Sequence, residues 1–143
     1  MKGFFQRFIS LYRPIIHSLN ELLSEYELSY SLWEVMYYVK NNGPSSLIDI
    51  SKYYEVEKPG ITRRVQRLEK MSIVEVIPSQ NKREKIIHLT SKGEQIYEHC
   101  RTRITELEHH IMKGIPEEEQ LISFNLLPKI KSKILEGDID EQD

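Results

Sequence analysis

Apolar residues fall at positions 5, 8, 9, 12, 15, 16, 19, 22, 23 and 26, the three-four alternation that turns one stripe of a helix toward a core. The stripe predicts a long first helix from Phe4. Pro14 lies inside it and is expected to kink that helix or make it begin later. A second helix fits residues 31–40, with Trp33, Met36 and Tyr37 on one side, and Asn41-Asn42-Gly43-Pro44 ends it. Ser46, with Asp49 three residues on, resembles a capping box and opens a short helix through Tyr54. After the turn Glu55-Val56-Glu57-Lys58, Pro59 suits the first position of another helix, where a missing N–H costs nothing.

That helix is predicted to run from Pro59 to about Met71. At 100° per residue, Ile61, Val65 and Leu68 share one side, while Pro59, Arg63, Gln66, Arg67 and Lys70 share the other. Arg64 sits about 60° off the centre of the apolar side and is expected to snorkel or pair with an acid. Val74-Glu75-Val76-Ile77 and Lys85-Ile86-Ile87-His88-Leu89 flank a polar stretch from Ser79 to Glu84, which reads as a two-stranded antiparallel ribbon with a charged tip. Ser91 and Glu94 supply a second capping box for a long helix striped by Ile96, Cys100, Ile104, Leu107 and Ile111. Gly114-Ile115-Pro116 breaks the chain, and Glu117, Glu118 and Glu119 open a last helix that Pro128 should bend or interrupt. The acidic tail, residues 137–143, is expected to fray.

The chain has 143 residues, the size of one ordinary domain. Its longest apolar runs, such as Met36 to Val39, are far shorter than the roughly 18 residues that span a bilayer. No apolar run follows the basic N-terminus, so a cytoplasmic location without membrane contact is expected. Net charge is -2, but the charge is segregated. Residues 52–90 carry nine basic and five acidic side chains, and the remainder carries eleven and seventeen. A basic middle between acidic ends is what one phosphate-facing surface requires.

The element order matches a winged helix-turn-helix inserted between flanking helices, a mainly α fold with a small two-stranded β-wing. In such a module the second helix of the pair enters the major groove and flanking elements hold the backbone. The run Lys58-Pro59-Gly60-Ile61-Thr62-Arg63-Arg64-Val65-Gln66-Arg67-Leu68-Glu69, followed by Ile73-Val74, Lys82-Arg83 and Leu89-Thr90-Ser91-Lys92-Gly93, resembles the MarR family of bacterial transcriptional regulators. The resemblance extends from the first helix to Pro116-Glu117-Glu118-Glu119. It implies a sequence-specific regulator, a repressor acting as a homodimer on a pseudo-palindromic double-stranded operator and, as often in the family, loosened by a small ligand or an oxidant. Within a single domain, residues 1–28 and 91–136 would supply dimerisation helices, 29–90 the winged module and 137–143 the tail.

Matched to the family, Thr62, Arg63 and Arg67 fall on DNA-facing positions of the recognition helix, and Arg83 on the wing-tip arginine. The full DNA-facing set expected here is Ser46, Lys58, Pro59, Gly60, Thr62, Arg63, Gln66, Arg67, Lys70, Asn81, Lys82, Arg83 and Lys85. Arg63, Gln66 and Arg67 would read bases, and Lys58, Lys82 and Lys85 would hold phosphates. Asn81 replaces an aspartate that orients the wing arginine, Glu57 a capping serine, Ser72 a helix-ending glycine and Arg64 an apolar residue.

Phe5, Phe8, Ile9, Tyr12, Leu107, Ile111, Leu127, Ile130 and Ile134 are the expected dimerisation residues, since the terminal stripes exceed what a small winged module can cover. Tyr12, His17, Trp33 and Tyr37 could wall an effector pocket, although ordinary core and dimer packing by large aromatic side chains is the favoured reading. Cys100 lies in an apolar stripe, where a thiol is inert. His99, His109 and His110 lack the spacing that aims two imidazoles at one ion, so neither a metal nor a cofactor is expected. No P-loop, G-x-S-x-G or G-x-G-x-x-G occurs, which argues against an enzyme. The remaining alternative is a winged helix whose basic face meets an acidic protein and not DNA.

Overall fold

The computed structural model describes residues 1–80 and 83–140. The elements in chain order are α1 (Phe4–Ile9), α2 (Tyr12–Ser24), α3 (Tyr30–Asn42), β1 (Ser45–Ser46), α4 (Leu47–Tyr54), α5 (Lys58–Lys70), β2 (Val74–Ile77), β3 (Ile86–Leu89), α6 (Ser91–Met112) and α7 (Glu117–Asp140). They form two compact units, Met1–Ile104 and Thr105–Asp143.

The long first helix is split. Backbone bonds from Ser10 N–H to the Gln6 carbonyl and from Leu11 N–H to the Phe8 carbonyl close α1, and α2 restarts at Tyr12. Pro14 thereby occupies the first turn of α2, where no N–H has an intrahelical acceptor, so its ring is accommodated. In the first unit, Leu23, Leu32, Val35, Met36, Val39, Ile50, Ile61, Val65, Leu68, Ile87 and Cys100 form one continuous core with Ile73 and Val74. The inward residues of α5 are those its sequence periodicity assigns.

The ribbon carries an additional strand. β3 pairs antiparallel with β2, Val74 opposite Leu89 and Ile77 opposite Ile86, and its other edge pairs with β1, Ser45 opposite Ile87. The wing sheet thus has three strands in the order β1-β3-β2 and not two. A polar dipeptide has no hydrophobic alternation to announce it, because its pairing is made by backbone groups alone.

Three helices end in the same way. Glu27, Glu55 and Ser72 adopt positive φ, and the following residue donates back across the turn: Leu28 N–H to Leu23, Val56 to Ser51 and Ile73 to Leu68. These are Schellman closures, normally given to glycine because an L side chain is strained there. Ser72→Gly should therefore stabilise the protein by about 1 kcal/mol. Urea unfolding would show this as a raised midpoint at unchanged slope.

The start of α6 also differs from the sequence pattern. Ser91 is its first helical residue, and the cap is Thr90, whose Oγ1 accepts the Gly93 N–H at 3.0 Å. Glu94 pairs with Lys40 at 2.6 Å and does not close a capping box. Tyr97, Cys100 and Ile104 continue the core along this helix.

In the second unit, α7 runs unbroken through Pro128. Its missing N–H leaves the Phe124 carbonyl without a helical donor, but Phe124 is 74% exposed, so water can serve that oxygen. Gln120 Nε2 donates to the carbonyls of Met112 and Ile115, at 3.1 and 2.8 Å, and so closes the bend between the helices. The helix extends to Asp140, beyond the expected fraying point at Gly137. Leu121, Ile122, Phe124, Leu127, Ile134 and Leu135 are all exposed along it.

Candidate nucleic-acid interface

The helix-turn-helix is built by α4 and α5. Ser46 Oγ accepts the Asp49 N–H at 3.1 Å, which fixes the start of α4, and Ser51 Oγ donates to the Val56 carbonyl across the turn. Ile61, Val65 and Leu68 then anchor α5 against the core. The opposite face, Lys58, Pro59, Arg63, Gln66, Arg67 and Lys70, is exposed. Among the described residues, Lys58, Arg63, Arg67 and Lys70 take part in no ion pair. Glu57 makes no side-chain cap for α5, and the first turn carries no acid.

Other expected contact residues are placed differently. Ser46 is buried, and its hydroxyl is engaged in capping α4, so it is a structural residue and not part of the exposed face. Lys85 is half-buried and pairs with Glu69 at 2.7 Å, tying the wing to α5 where a free phosphate-seeking ammonium was expected. Thr62 is half-buried and donates to the Lys58 carbonyl at 3.0 Å, which leaves only its acceptor capacity. Gly60 is half-buried in the first turn of α5, and Arg83 is exposed on the wing. Asn81 and Lys82 lie outside the described residues. Glu75 and His88 pair across the ribbon at 2.6 Å.

Arg64 behaves as its off-centre position requires, since its Nη1 lies 3.1 Å from Glu34 Oε2 on α3. Beside that pair, Tyr30, Trp33, Glu34 and Tyr37 of α3 and Tyr53 and Tyr54 of α4 line a cavity of about 250 Å³. Trp33 and Tyr37 are thus brought together as the sequence suggests. Trp33 also stacks on Tyr97, with centroids 4.8 Å apart and planes 7° from parallel. Tyr12 and His17 do not line this cavity, and His17 is an exposed partner of Glu21. The recurrence of Tyr30, Trp33 and Tyr37 at helical spacing could have signalled the wall, whereas the Tyr53-Tyr54 half depends on how α4 packs. Burial first, and the Glu34 charge second, raise the phenol pKa values of Tyr30 and Tyr54.

Cys100 is fully buried, and burial pushes its thiol up to about 11. At neutral pH it should resist a thiol-specific disulfide reagent in the native protein and react at once in denaturant; native reaction would contradict its burial. No three His, Cys, Asp or Glu residues are placed to hold a metal among the described residues. No helix among them is long and apolar enough to cross a membrane.

A sequence profile of the MarR family matches residues 28–85, the segment that holds the whole α4–α5 pair. The uncharacterized HTH-type transcriptional regulator YwoH of Bacillus subtilis is 32% identical over 76% of this chain and 79% of its own. The chain belongs to the MarR family. A Staphylococcus aureus MarR in complex with salicylate and kanamycin superposes with a TM-score of 0.85 at 25% identity, covering 94% of this chain and 92% of that one. A mutant E. coli MarR complexed with operator DNA superposes with a TM-score of 0.72 at 25% identity, covering 89% and 97%. The MarR winged-helix architecture and the regulator relatives favour transcriptional regulation over the protein-interaction module.

Proposed function

We propose that this MarR-family protein is a homodimeric, ligand-responsive repressor that binds double-stranded operator DNA with inverted half-sites. The observation that carries this reading is the exposed face of α5, where four cations around Gln66 make no ion pair with the described residues. Arg63, Gln66 and Arg67 read base edges, since guanidinium and amide groups match them in pairs. Lys58 and Lys70 meet phosphates. Pro59, Gly60 and Thr62 shape the approach of that turn, and Arg83, with Asn81 and Lys82, serves the wing contact.

A second copy of the chain covers the apolar surface at both ends. Phe5, Phe8, Ile9 and Tyr12 of the first helices, and Ile111, Leu127 and Ile134 of the last two, are exposed in the protomer, with Leu107 and Ile130 half-buried. A twofold assembly would complete the single functional domain and set two recognition helices one DNA turn apart, about 34 Å. The operator complex and the salicylate-bound relative support DNA and a small effector as partners. A cytoplasmic location follows from this role.

Selection of fragmented genomic DNA by the purified protein tests the reading. An enriched motif with two inverted halves about ten base pairs apart is expected. Recovery of no sequence above input, or sedimentation as a monomer at micromolar concentration, would overturn it.

A further inference from the structure

The cavity between α3 and α4 has a chemistry of its own. Five of its six lining residues are aromatic, and the sixth, Glu34, supplies its only carboxylate. That side chain is 19% exposed, and its salt-bridge partner is Arg64, at 3.1 Å from a single oxygen. The Tyr54 hydroxyl donates to the Glu34 backbone carbonyl at 2.8 Å, and the Tyr30 phenol hydrogen-bonds the Glu34 carboxylate from the cavity wall. Aromatic walls attract a cation through their negative faces, and a partly buried carboxylate repels an anion.

We propose that this cavity binds a small organic cation, an ammonium on an aromatic or alkyl body, with Glu34 as its counter-ion. The ligand's charge competes with Arg64 for that carboxylate and so weakens the link between α3 and the DNA-facing helix α5. A half-buried guanidinium that loses its partner must find water or another acid, and α5 shifts to allow it. The regulatory half of this inference rests on the DNA-binding reading; occupancy of the cavity does not. Reciprocity then requires that the cation lower DNA affinity by the factor by which DNA lowers cation affinity.

Trp33 is the chain's only tryptophan and lines the cavity, so its fluorescence reports occupancy directly. Titration of the full chain with benzyltrimethylammonium should give a saturable change with a midpoint of about 1 mM or below. Benzoate and benzyl alcohol should bind at least about tenfold more weakly. Glu34→Gln should weaken cation binding by about tenfold or more, with circular dichroism checking the fold. Because that variant leaves Arg64 unpaired, Arg64→Leu provides the independent arm: it removes the cation that competes for Glu34 and should tighten binding severalfold.

No saturable response, an equal response to benzoate, or unchanged affinity in Arg64→Leu would overturn the proposal. Saturating cation should also weaken binding to the selected operator in the native chain and not in Arg64→Leu. Operator binding that persists without any cation response overturns the cavity proposal alone. Cation binding by a chain that selects no DNA supports the cavity and overturns the DNA reading.

Discussion

The double replacement Arg63→Ala and Arg67→Ala should weaken binding to the selected operator by about 2 to 6 kcal/mol, at about 1 to 3 kcal/mol for each lost base contact. Both side chains are exposed on one face of α5, and neither is held by an acid of the described residues. Removing them therefore disrupts no ion pair among the described residues, and the thermal midpoint should stay where it is. Anisotropy titration at fixed salt measures the loss, and the slope against salt should flatten as two cations leave the interface. Undiminished binding would take both residues off the reading face. Loss of binding to every sequence equally would turn them from base readers into phosphate contacts.

Gly93→Ala is expected to destabilise the fold by about 3 kcal/mol or more and to lower the melting temperature by about 10 °C. A Cβ at this position would stand 2.1 Å from the Ile73 carbonyl oxygen and 3.0 Å from its carbon. That carbonyl is fixed, because it accepts the Thr90 N–H at 2.9 Å and belongs to the residue that closes the end of α5. No flexible side-chain tip can move aside, so either α6 retreats from the sheet or the α5 closure opens. Differential scanning calorimetry would detect the shift. A melting temperature within about 2 °C of the native protein would show that the backbone approach is looser than this geometry.

The two substitutions differ in how readable their sites were. The apolar positions 61, 65 and 68 set the inward face of α5 by periodicity alone, and the cations on the other side follow from it. Gly93, by contrast, looked like an ordinary residue in a capping box. Its requirement comes from the Ile73 backbone, twenty positions earlier in the chain. The same holds for the helix ends at Glu27, Glu55 and Ser72. None carries the glycine that marks a left-handed closure, so the stops are imposed by packing against the strain each residue bears. Ser46 and Lys85 looked available to DNA, and the fold engages one in a cap and the other with Glu69.

By itself, the sequence determined the helix-turn-helix, the wing, the basic outer face of α5 and the apolar stripes of the terminal helices. Each of these is local, written in side-chain spacing that a regular element converts directly into one face. Only the tertiary structure decided the third strand, the Thr90 cap, the contact of Gly93 with Ile73, the Glu34–Arg64 pair and the cavity beside it. These join groups far apart in the chain, through backbone atoms or charges whose partners no periodicity names.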